Sequence, residues 1–369
     1  MGASEIPDTM KAIQVVEFNK PYKINTVKVP KDLQPTDILV KVAVASNCHT
    51  DSMVTAGTFG TKLPCTASHE GAGTIVALGK DAEARGFKVG QRVMCGLPLH
   101  PCGECGDCRG PENQTQYCSN LDGHCGVHVD GCFAEYVSVD SHSTTPLPDE
   151  VSFTSAAPLA CAGRTIWRGL LQTGLKAGEW VAIVGSGGGL GHLGIQFAKA
   201  LGLKVIGVDA RDEGLSLSKE QGADVIVDAR KGKESVVKEV HAVTNDKGAD
   251  STVCISDHED AAAIACAVTK MHGIMVQIAQ PKDVVIPFEE LIFRDIRIHG
   301  SLLCSADESK SMLECIAKNG ITVKTNPFNG LDKIEELTGM VHGGKIQGKA
   351  IIIVDPEQID HEKKIGVNS

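Results

Sequence analysis

The stretch Trp180-Val-Ala-Ile-Val-Gly185-Ser-Gly187-Gly188-Gly189-Leu-Gly191 decides the fold of this chain. Its apolar run over residues 181–184 predicts a buried strand, and apolar residues at helical spacing over 190–201 predict a helix that ends at Gly202. Glycines between a strand and a helix let the backbone turn tightly and approach a pyrophosphate, and the helix N-terminus supplies N–H groups. We therefore predict a dinucleotide-binding loop, formed by Gly185, Ser186, Gly187, Gly188, Gly189, Leu190 and Gly191.

Asp209 lies 18 residues beyond Gly191, at the end of the next predicted strand. A carboxylate at this point accepts hydrogen bonds from the adenosine ribose hydroxyls and repels a 2′-phosphate, which favours NAD over NADP. Arg211 follows two residues later and weakens that preference. If the glycines formed only a turn and Asp209 only capped a strand, the ordered series of strand, loop, helix and acid would be a coincidence.

Strands and helices alternate along the second part of the chain, which is the pattern of parallel βαβ units. The predicted strands cover residues 181–184, 204–209, 224–228, 251–255, 274–278 and 296–302. Six such strands fit a doubly wound parallel sheet, so we predict an α/β fold. A helix over 307–318 and a strand over 349–354 follow, and we expect the polar residues 355–369 to be loosely ordered.

The first part of the chain, up to a boundary near residue 162, predicts irregular β structure, because short β-like runs such as 11–16 and 38–45 are broken by glycine, proline and aspartate. A length of 369 residues favours two domains. The net charge of -10 and the pI of about 5.7 argue against a nucleic-acid surface. Residues 1–10 lack a signal-peptide pattern and no apolar run is long enough to span a bilayer, so we expect a soluble, cytoplasmic protein without a membrane partner.

Fourteen cysteines in a chain expected to be cytoplasmic indicate metal ligands rather than disulfides. Four of them form a cluster that combines two-residue spacings with one longer spacing: Cys102, Cys105, Cys108 and Cys118. Four thiolates can surround Zn²⁺ tetrahedrally with no open position, as in structural zinc sites. Cys95 and Cys125 lie nearby in the sequence and are alternatives to Cys118 as the fourth ligand. Free cytosolic thiols are the competing interpretation.

A second group of candidate ligands is dispersed, and spacing alone cannot join its members, Cys48, His69, Glu70 and Cys161. A resemblance to a known family joins them. Its motifs occur in the order Cys48-His-Thr-Asp51, Ser68-His69-Glu70-Gly71-Ala-Gly73, the Cys102 cluster, Leu159-Ala-Cys161-Ala-Gly163-Arg-Thr165 and Gly188-Gly-Leu-Gly191. Over residues 10–354 the chain resembles the zinc alcohol dehydrogenases of the medium-chain superfamily, specifically the yeast and fungal branch.

The resemblance implies a GroES-like catalytic domain of residues 1–162, completed by residues 305–369, and a Rossmann NAD-binding domain of residues 163–304. It also implies a catalytic zinc ion with an open position for water or substrate, as a site of two cysteines and one histidine requires. The ligands would be Cys48, His69 and Cys161, with Glu70 approaching the metal during ligand exchange. With the cysteine cluster, two zinc ions per chain are expected.

Further roles follow from the resemblance residue by residue. Asp51 matches the carboxylate that orients the zinc-bound histidine. Thr50 matches the hydroxyl that hydrogen-bonds the substrate oxygen, and His49 matches a residue near the cofactor pyrophosphate. Thr165 would pack beside the nicotinamide, and Lys349 would contact a cofactor phosphate.

The chain departs from the family pattern in three places. Met53 replaces a histidine that passes the alcohol proton to solvent, and a thioether cannot carry a proton. The spacing before Cys118 is two residues longer than in the family, which alters the structural-zinc loop. Aromatic residues that narrow the pocket for ethanol are largely missing, since residues 52–64 contain only Phe59, and Leu97 and Pro98 stand near where a tryptophan is expected. A roomier apolar pocket follows.

We therefore predict a zinc-dependent alcohol dehydrogenase or carbonyl reductase that moves a hydride between NAD(H) and an alcohol, aldehyde or ketone bulkier than ethanol. Met53 motivates an alternative, a tailoring reductase of a conjugated C=C or C=N bond on the same fold. A non-catalytic NAD-binding protein is a third interpretation, which the complete set of candidate zinc ligands disfavours. The expected partner is a small-molecule substrate, and the resemblance implies a homodimer or homotetramer.

Overall fold

The chain forms two compact units in the computed structural model, which describes residues 6–367. The first unit comprises the chain up to Cys161, Ser305–Ala317 and the chain from Thr325 onward. The second comprises Ala162–Cys304 and Lys318–Lys324. The sequence-based boundaries, after residue 162 and before residue 305, differ by one residue at the first division and lack the short segment Lys318–Lys324. Residues 1–5 and 368–369 of the predicted catalytic domain lie outside the described residues.

Ten strands precede the second unit, because β-branched and apolar residues alternate there with glycine and proline turns. They are β1 (Thr9–Val15), β2 (Lys23–Lys28), β3 (Asp37–Ser46), β4 (Cys65–Thr66), β5 (Glu70–Leu78), β6 (Arg92–Met94), β7 (Pro98–Leu99), β8 (Gly123–His124), β9 (Tyr136–Asp140) and β10 (Thr145–Pro146). β3 pairs antiparallel with β5 and β9, and the sheet continues through β6 to β10. Buried side chains of β3, among them Ile38, Val40 and Val42, build the core of this unit.

Four short helices accompany these strands: α1 (His49–Thr55), α2 (Lys80–Ala84), α3 (Gly106–Arg109) and α4 (Phe153–Pro158). Smaller sheets join β1 to β2 and β4, and β7 to β8. A π-helical turn, Leu159–Gly163, follows α4 directly.

The second unit has the predicted doubly wound α/β fold. After α5 (Arg164–Leu171) its strands are β11 (Trp180–Val184), β12 (Lys204–Asp209), β13 (Val225–Asp228), β14 (Ala249–Cys254), β15 (Thr269–Gln277) and β16 (Arg297–Gly300). They are all parallel, in the order β13-β12-β11-β14-β15-β16, which confirms the prediction. The helices between them are α6 (Gly191–Ala200), α7 (Asp212–Glu220), α8 (Lys233–Val243), α9 (Ala261–Val268) and α10 (Phe288–Ile292).

The C-terminal part of the chain completes the sheet of the first unit. It contains α11 (Ala306–Asn319), β17 (Thr325–Asn329), α12 (Ile334–His342), β18 (Lys349–Ile353) and α13 (Pro356–Lys364). β18 pairs antiparallel with β3 and parallel with β17. Among residues 6–367, no helix combines the length and the apolar character that crossing a membrane requires.

The expectation of a loosely ordered tail over residues 355–369 is wrong for its described part. α13 begins at an N-cap, where the Asp355 carboxylate accepts a hydrogen bond from Glu357 N at 3.1 Å. Buried Glu362 accepts hydrogen bonds from Arg92 Nε at 2.9 Å and from Phe153 N at 3.0 Å, so the helix is held against β6 and α4. The polar composition suggested an exposed segment, but Glu362 is buried beside the cation of Arg92. Residues 368–369 lie outside the described residues.

Candidate active site

The four dispersed candidate ligands come together in the first unit. One ligand atom each of Cys48, His69, Glu70 and Cys161 lies within 4.8 Å of the others. Cys48 precedes α1, His69 and Glu70 stand at the start of β5, and Cys161 lies in the π-helical turn. Chain topology therefore brings together residues that are separated by up to 113 positions in the sequence.

A single buried carboxylate positions two of these ligands. Asp51 Oδ2 accepts a hydrogen bond from Cys48 N at 2.8 Å, which closes the N-terminal cap of α1. Asp51 Oδ1 accepts from Ser68 N at 3.2 Å and lies 3.5 Å from His69 Nδ1. Asp51 therefore fixes the backbone on both sides of the site and faces the imidazole, as the resemblance implies.

Cys161 lies in a π-helical turn between two α-helices. α4 ends at Pro158, and the chain continues as a π-helical turn before α5 begins at Arg164. Such turns are rare and occur frequently at functional sites. Here the turn contains Cys161.

The residues of the cluster fit a zinc ion. Both ring nitrogens of His69 are buried, and neither makes a hydrogen bond within residues 6–367. Since Nδ1 faces Asp51, Nε2 is the nitrogen that would bind a metal. The hydrogen bond to Cys161 lowers the pKa of the Cys48 thiol well below its usual value, against the effect of burial, with Lys349 and His69 adding to the shift. A thiolate, a second thiol and an imidazole, with donor atoms within 4.8 Å of one another, are the donors that Zn²⁺ prefers.

Glu70 is paired with a cation that sequence spacing gave no reason to place beside it. Lys349 Nζ on β18 lies 3.0 Å from Glu70 Oε1 and 2.7 Å from Oε2, and the two side chains are 5% and 0% exposed. Burial raises the pKa of Glu70 to about 7, which Lys349 opposes and Cys48 reinforces. Burial lowers the pKa of Lys349, but Glu70 and Cys48 outweigh it, so that this pKa is raised. The contact of Lys349 with a cofactor phosphate stays a prediction.

The remaining predicted residues near this cluster lie on α1. The Thr50 hydroxyl is 4.0 Å from Cys48 Sγ, within reach of a group bound at the cluster. His49 is exposed and Met53 is half-buried. Thr165 is buried on α5 of the second unit.

The structure also assembles the predicted cysteine cluster. Sulfurs of Cys102, Cys105, Cys108 and Cys118 lie within 4.8 Å of one another. Backbone N–H groups point at them, since Cys105 N donates to Cys102 Sγ and Cys102 N to Cys118 Sγ, each at 3.4 Å. Hydrogen bonds from the backbone of Glu104 and Cys105 lower the pKa of Cys102 to about 6. Four thiols in this arrangement suit a closed, structural zinc site.

The alternative fourth ligands lie elsewhere. Cys95 and Cys125 are fully buried in the core, where Cys125 Sγ is 3.9 Å from Cys132 Sγ. A Cβ at Gly71, beside Glu70, would lie 2.5 Å from Cys132 Sγ and 3.4 Å from Cys95 Sγ, so Cys132 and Cys95 pack directly against this glycine. Cys118, and not Cys95 or Cys125, is therefore the fourth sulfur of the cluster.

A group of ion pairs at the base of the loop that carries Cys102 to Cys118, here called the cysteine loop, was not predicted from the sequence. His100 Nε2 lies 2.7 Å from Asp37 Oδ1, and Nδ1 lies 2.7 Å from Asp122 Oδ2. Burial lowers the pKa of His100, but the hydrogen bonds to both aspartates outweigh it and raise the pKa. His100 precedes Cys102, and Asp122 follows Cys118. Their ion pairs therefore hold both ends of the cysteine loop together, next to Asp37 at the start of β3. Its only sequence signal is a histidine two residues before Cys102.

The predicted dinucleotide loop connects β11 to α6 in the second unit. Gly185 has φ +95°, in the left-handed region that favours glycine, and a Cβ at Gly191 would collide with Ser186 O. Gly187 N donates a hydrogen bond to Asp209 Oδ2 at 2.9 Å. Ser186 is buried, and its hydroxyl lies 2.7 Å from Ser218 Oγ, while residues 188–190 complete the turn.

Comparisons with known proteins bear on this arrangement. Residues 34–149 match the alcohol dehydrogenase GroES-like domain family, and residues 189–318 match the zinc-binding dehydrogenase family. An alcohol dehydrogenase of Geobacillus stearothermophilus is 33% identical over 347 residues, which is 93% of this chain and 98% of that protein. Alcohol dehydrogenase 1 of Emericella nidulans is 33% identical over 352 residues, 93% of this chain and 98% of that protein.

Solved structures agree with these relatives. The alcohol dehydrogenase of Aeropyrum pernix has a TM-score of 0.84 at 29% identity, covering 93% of this chain and 99% of that chain. A dehydrogenase of Sinorhizobium meliloti described as zinc-binding, bound to NADP, has a TM-score of 0.80 at 26% identity, covering 94% and 100%. Both similarities extend over the two units described above.

Proposed function

Because the chain belongs to the zinc-type alcohol dehydrogenases of the medium-chain family, oxidoreductases that act on CH–OH groups, we propose that it moves a hydride between NAD(H) and an alcohol, aldehyde or ketone bulkier than ethanol. The observation that carries the proposal is the cluster of Cys48, His69 and Cys161, with Asp51 behind the histidine. When bound there, zinc polarises the substrate oxygen and lowers the pKa of an alcohol.

Three side chains of the protein have further roles at this site. Asp51 holds His69 and the Cys48 backbone in one geometry, so the ligand set is preorganised. The Thr50 hydroxyl, 4.0 Å from Cys48 Sγ, would accept a hydrogen bond from the substrate hydroxyl and, as it takes that proton, release its own to water. Lys349 compensates the buried charge of Glu70.

We propose two zinc ions per chain, since the cluster of Cys102, Cys105, Cys108 and Cys118 offers four sulfurs and no open position. Its loop has little apolar content, so metal binding would supply its folding free energy. We also propose NAD as cofactor, because Asp209 lies where ribose hydroxyls would be bound. From the resemblance, Lys349 would contact a cofactor phosphate, His49 the pyrophosphate and Thr165 the nicotinamide.

The preference for bulky substrates is supported by the side chains near the expected pocket. Leu97 and Pro98 are buried aliphatic residues near the position where the resemblance leads one to expect an aromatic residue, and Phe59 is half-buried. Met53 stands on α1 in place of a proton-carrying histidine, so protons leave through Thr50 and water. The same substitution supports the second candidate, reduction of a conjugated C=C or C=N bond, which need not protonate an alkoxide.

A homodimer formed by the second unit is a further part of the proposal. β16 is the last strand of the six-stranded sheet, and an exposed edge strand pairs readily with another strand. Large exposed apolar side chains precede it, namely Val284, Val285, Phe288, Leu291, Ile292 and Phe293. A second copy would cover this patch, and Ile292→Glu should then shift sedimentation to that of a single chain; an unchanged sedimentation coefficient contradicts the dimer.

The cytoplasmic location and the yeast and fungal branch stay part of the proposal. The branch is supported by the relative from Emericella nidulans, although the relative from Geobacillus stearothermophilus is equally identical to this chain.

The experiment that tests the function combines metal analysis with a cofactor assay. Purified protein should contain two zinc ions per chain and should oxidise NADH when bulky aldehydes or ketones are supplied. Product analysis with an enone separates the candidates, because an alcohol with its alkene intact excludes C=C reduction. Cofactor binding without turnover on any substrate would indicate the non-catalytic interpretation.

A further inference from the structure

The acid that ends β12 beside the dinucleotide loop is buried, whereas the arginine that follows it is partly exposed; Asp212, which is paired with Arg230, and Glu213 come next at the start of α7. The side chain of Asp209 is 5% exposed, whereas that of Arg211 is 37% exposed. Asp209 is the last residue of β12 and Arg211 lies two residues beyond it, at the point where the adenosine ribose of a dinucleotide is bound in doubly wound sheets. The acid that would discriminate between cofactors is therefore the buried member of the pair.

Backbone groups use most of the hydrogen-bonding capacity of Asp209. Oδ2 accepts from Gly187 N at 2.9 Å, and Oδ1 accepts from Ala210 N at 2.9 Å and from Arg211 N at 3.0 Å. An ionised carboxylate offers about four acceptor positions, so about one remains for a ribose hydroxyl. This capacity suffices for NAD.

Two glycines cover the carboxylate. A Cβ at Gly214 would collide with Asp209 Oδ1, and a Cβ at Gly187 would collide with the Gly214 backbone. The loop and the first turn of α7 therefore close over the acid as bare backbone, which accounts for its burial.

The Arg211 side chain contacts both Asp209 and the dinucleotide loop. Its Nε is 3.5 Å from Asp209 Oδ1, and its Nη2 donates a hydrogen bond to Gly187 O at 3.2 Å. The guanidinium thus compensates the charge of Asp209 from the solvent side. Its planar donors match phosphate oxygens, so an arginine in this position attracts a phosphate instead of excluding it.

We propose that this protein accepts NADP as well as NAD, and that Arg211 binds the 2′-phosphate. Asp209 retains one acceptor position for the ribose but does not repel the phosphate, because three backbone N–H donors and the Arg211 guanidinium compensate its charge. The inference rests on the proposed function, since it concerns the same cofactor loop.

Calorimetric titration of the zinc-loaded full chain with two probes, 5′-AMP and adenosine 2′,5′-bisphosphate, tests the proposal without relying on turnover. Both probes should bind the wild type. Arg211→Ala should weaken binding of the bisphosphate by about 10- to 100-fold, because a charge-assisted hydrogen bond is lost. Binding of 5′-AMP should change by no more than about twofold. Arg211→Lys should retain part of the bisphosphate affinity.

Arg85→Ala is the matched control. Arg85 is exposed at the C-terminal end of α2, in the first unit, and removal of its side chain changes the net charge equally. The bisphosphate affinity of this variant should equal that of the wild type. An equal loss in Arg85→Ala would overturn the assignment to Arg211, since the effect would then be one of overall charge.

Two further outcomes are decisive. Tight binding of 5′-AMP with no binding of the bisphosphate would overturn the proposal and leave the proposed NAD-linked function intact. Absence of binding of either probe, together with absence of turnover with NADH and NADPH, would overturn the proposed function itself. Turnover of one aldehyde with both NADH and NADPH, the latter lost selectively in Arg211→Ala, would extend the binding result to catalysis.

Discussion

The ammonium group of Lys349 lies 2.7 Å from Glu70 Oε2 in a position shielded from solvent. The two residues are 279 positions apart in the sequence and meet because β18 pairs with β3, which also pairs with β5. A carboxylate that is fully buried needs a compensating charge to remain ionised. Glu70 therefore depends on the C-terminal part of the chain for its charge state.

Lys349→Met should lower the free energy of unfolding by about 3–5 kcal/mol, because it leaves Glu70 buried without its cation. Lys349→Arg keeps the charge and should lose much less. Urea unfolding followed by circular dichroism measures both. Adding Glu70→Gln to Lys349→Met should recover part of the loss, so purely additive effects of the two substitutions would contradict the ion pair.

Asp51→Asn should lower the zinc affinity of the proposed site formed by Cys48, His69 and Cys161 by about 10- to 100-fold, as loss of a carboxylate behind a metal-binding histidine does. The amide nitrogen would also face the N–H groups of Cys48 and Ser68, which now donate to the carboxylate. Competition with a chromogenic chelator measures the affinity. Asp81→Asn, at an exposed position of α2, is the control and should bind zinc as the wild type does.

Cys108→Ser should reduce the zinc content from two ions per chain to one, because it removes one of four sulfurs that lie within 4.8 Å of one another. Elemental analysis of the purified variant gives the count. Cys95→Ala, in the core, should keep both ions at a small cost in stability of about 1 kcal/mol. Two ions in Cys108→Ser, or one in Cys95→Ala, would contradict the assignment of ligands.

Asp140→Asn should destabilise the protein in a pH-dependent manner. Burial raises the pKa of Asp140, but hydrogen bonds from His142 and Thr36 outweigh it, so the pKa is lowered from 3.8. A lowered pKa means that the stabilisation is complete above about 3.8 and is lost as the pH falls through the folded-state value. The wild type should therefore exceed the variant in unfolding free energy at neutral pH. In urea titrations this difference should shrink below pH 3.8; a constant difference would exclude ionisation as its source.

The second unit could be predicted from the sequence because its signals are local. The apolar strand, the glycine loop and the acid at the end of the next strand are each visible within about thirty residues, and β11, α6 and β12 follow them closely. The cysteine cluster was visible for the same reason. In contrast, Cys48, His69 and Cys161 required the family resemblance, since contacts across β3, β5 and the π-helical turn leave no periodic pattern in the sequence.

The contacts that could not be predicted from the sequence are ion pairs between charged residues that lie far apart in the chain and become buried on folding. Glu70 with Lys349, Arg92 with Glu362 and His100 with its two aspartates are all long-range pairs. Composition assigns such residues to the surface, which is why the helix α13 was expected to be a loose tail. Their burial depends on the tertiary fold and cannot be read from neighbouring positions.

Met53→His tests whether proton release limits this enzyme. Met53 and His49 are four residues apart on α1, so they share one face of the helix, and His49 is exposed. An imidazole at this position would carry the alcohol proton from the neighbourhood of Thr50 toward solvent. We expect kcat for alcohol oxidation near neutral pH to rise by roughly 10-fold, less than a direct general base supplies.

The control is Met53→Gln, which has similar length and hydrogen-bonding capacity but does not titrate. Steady-state kinetics of both variants with a bulky alcohol and NAD should show the gain for histidine alone. The solvent deuterium isotope effect on kcat should fall in the same variant, because the proton step is then no longer limiting. Equal rates for both variants and the wild type would mean that the route through Thr50 and water is already sufficient, and that Met53 reflects a change of substrate instead of a lost proton relay.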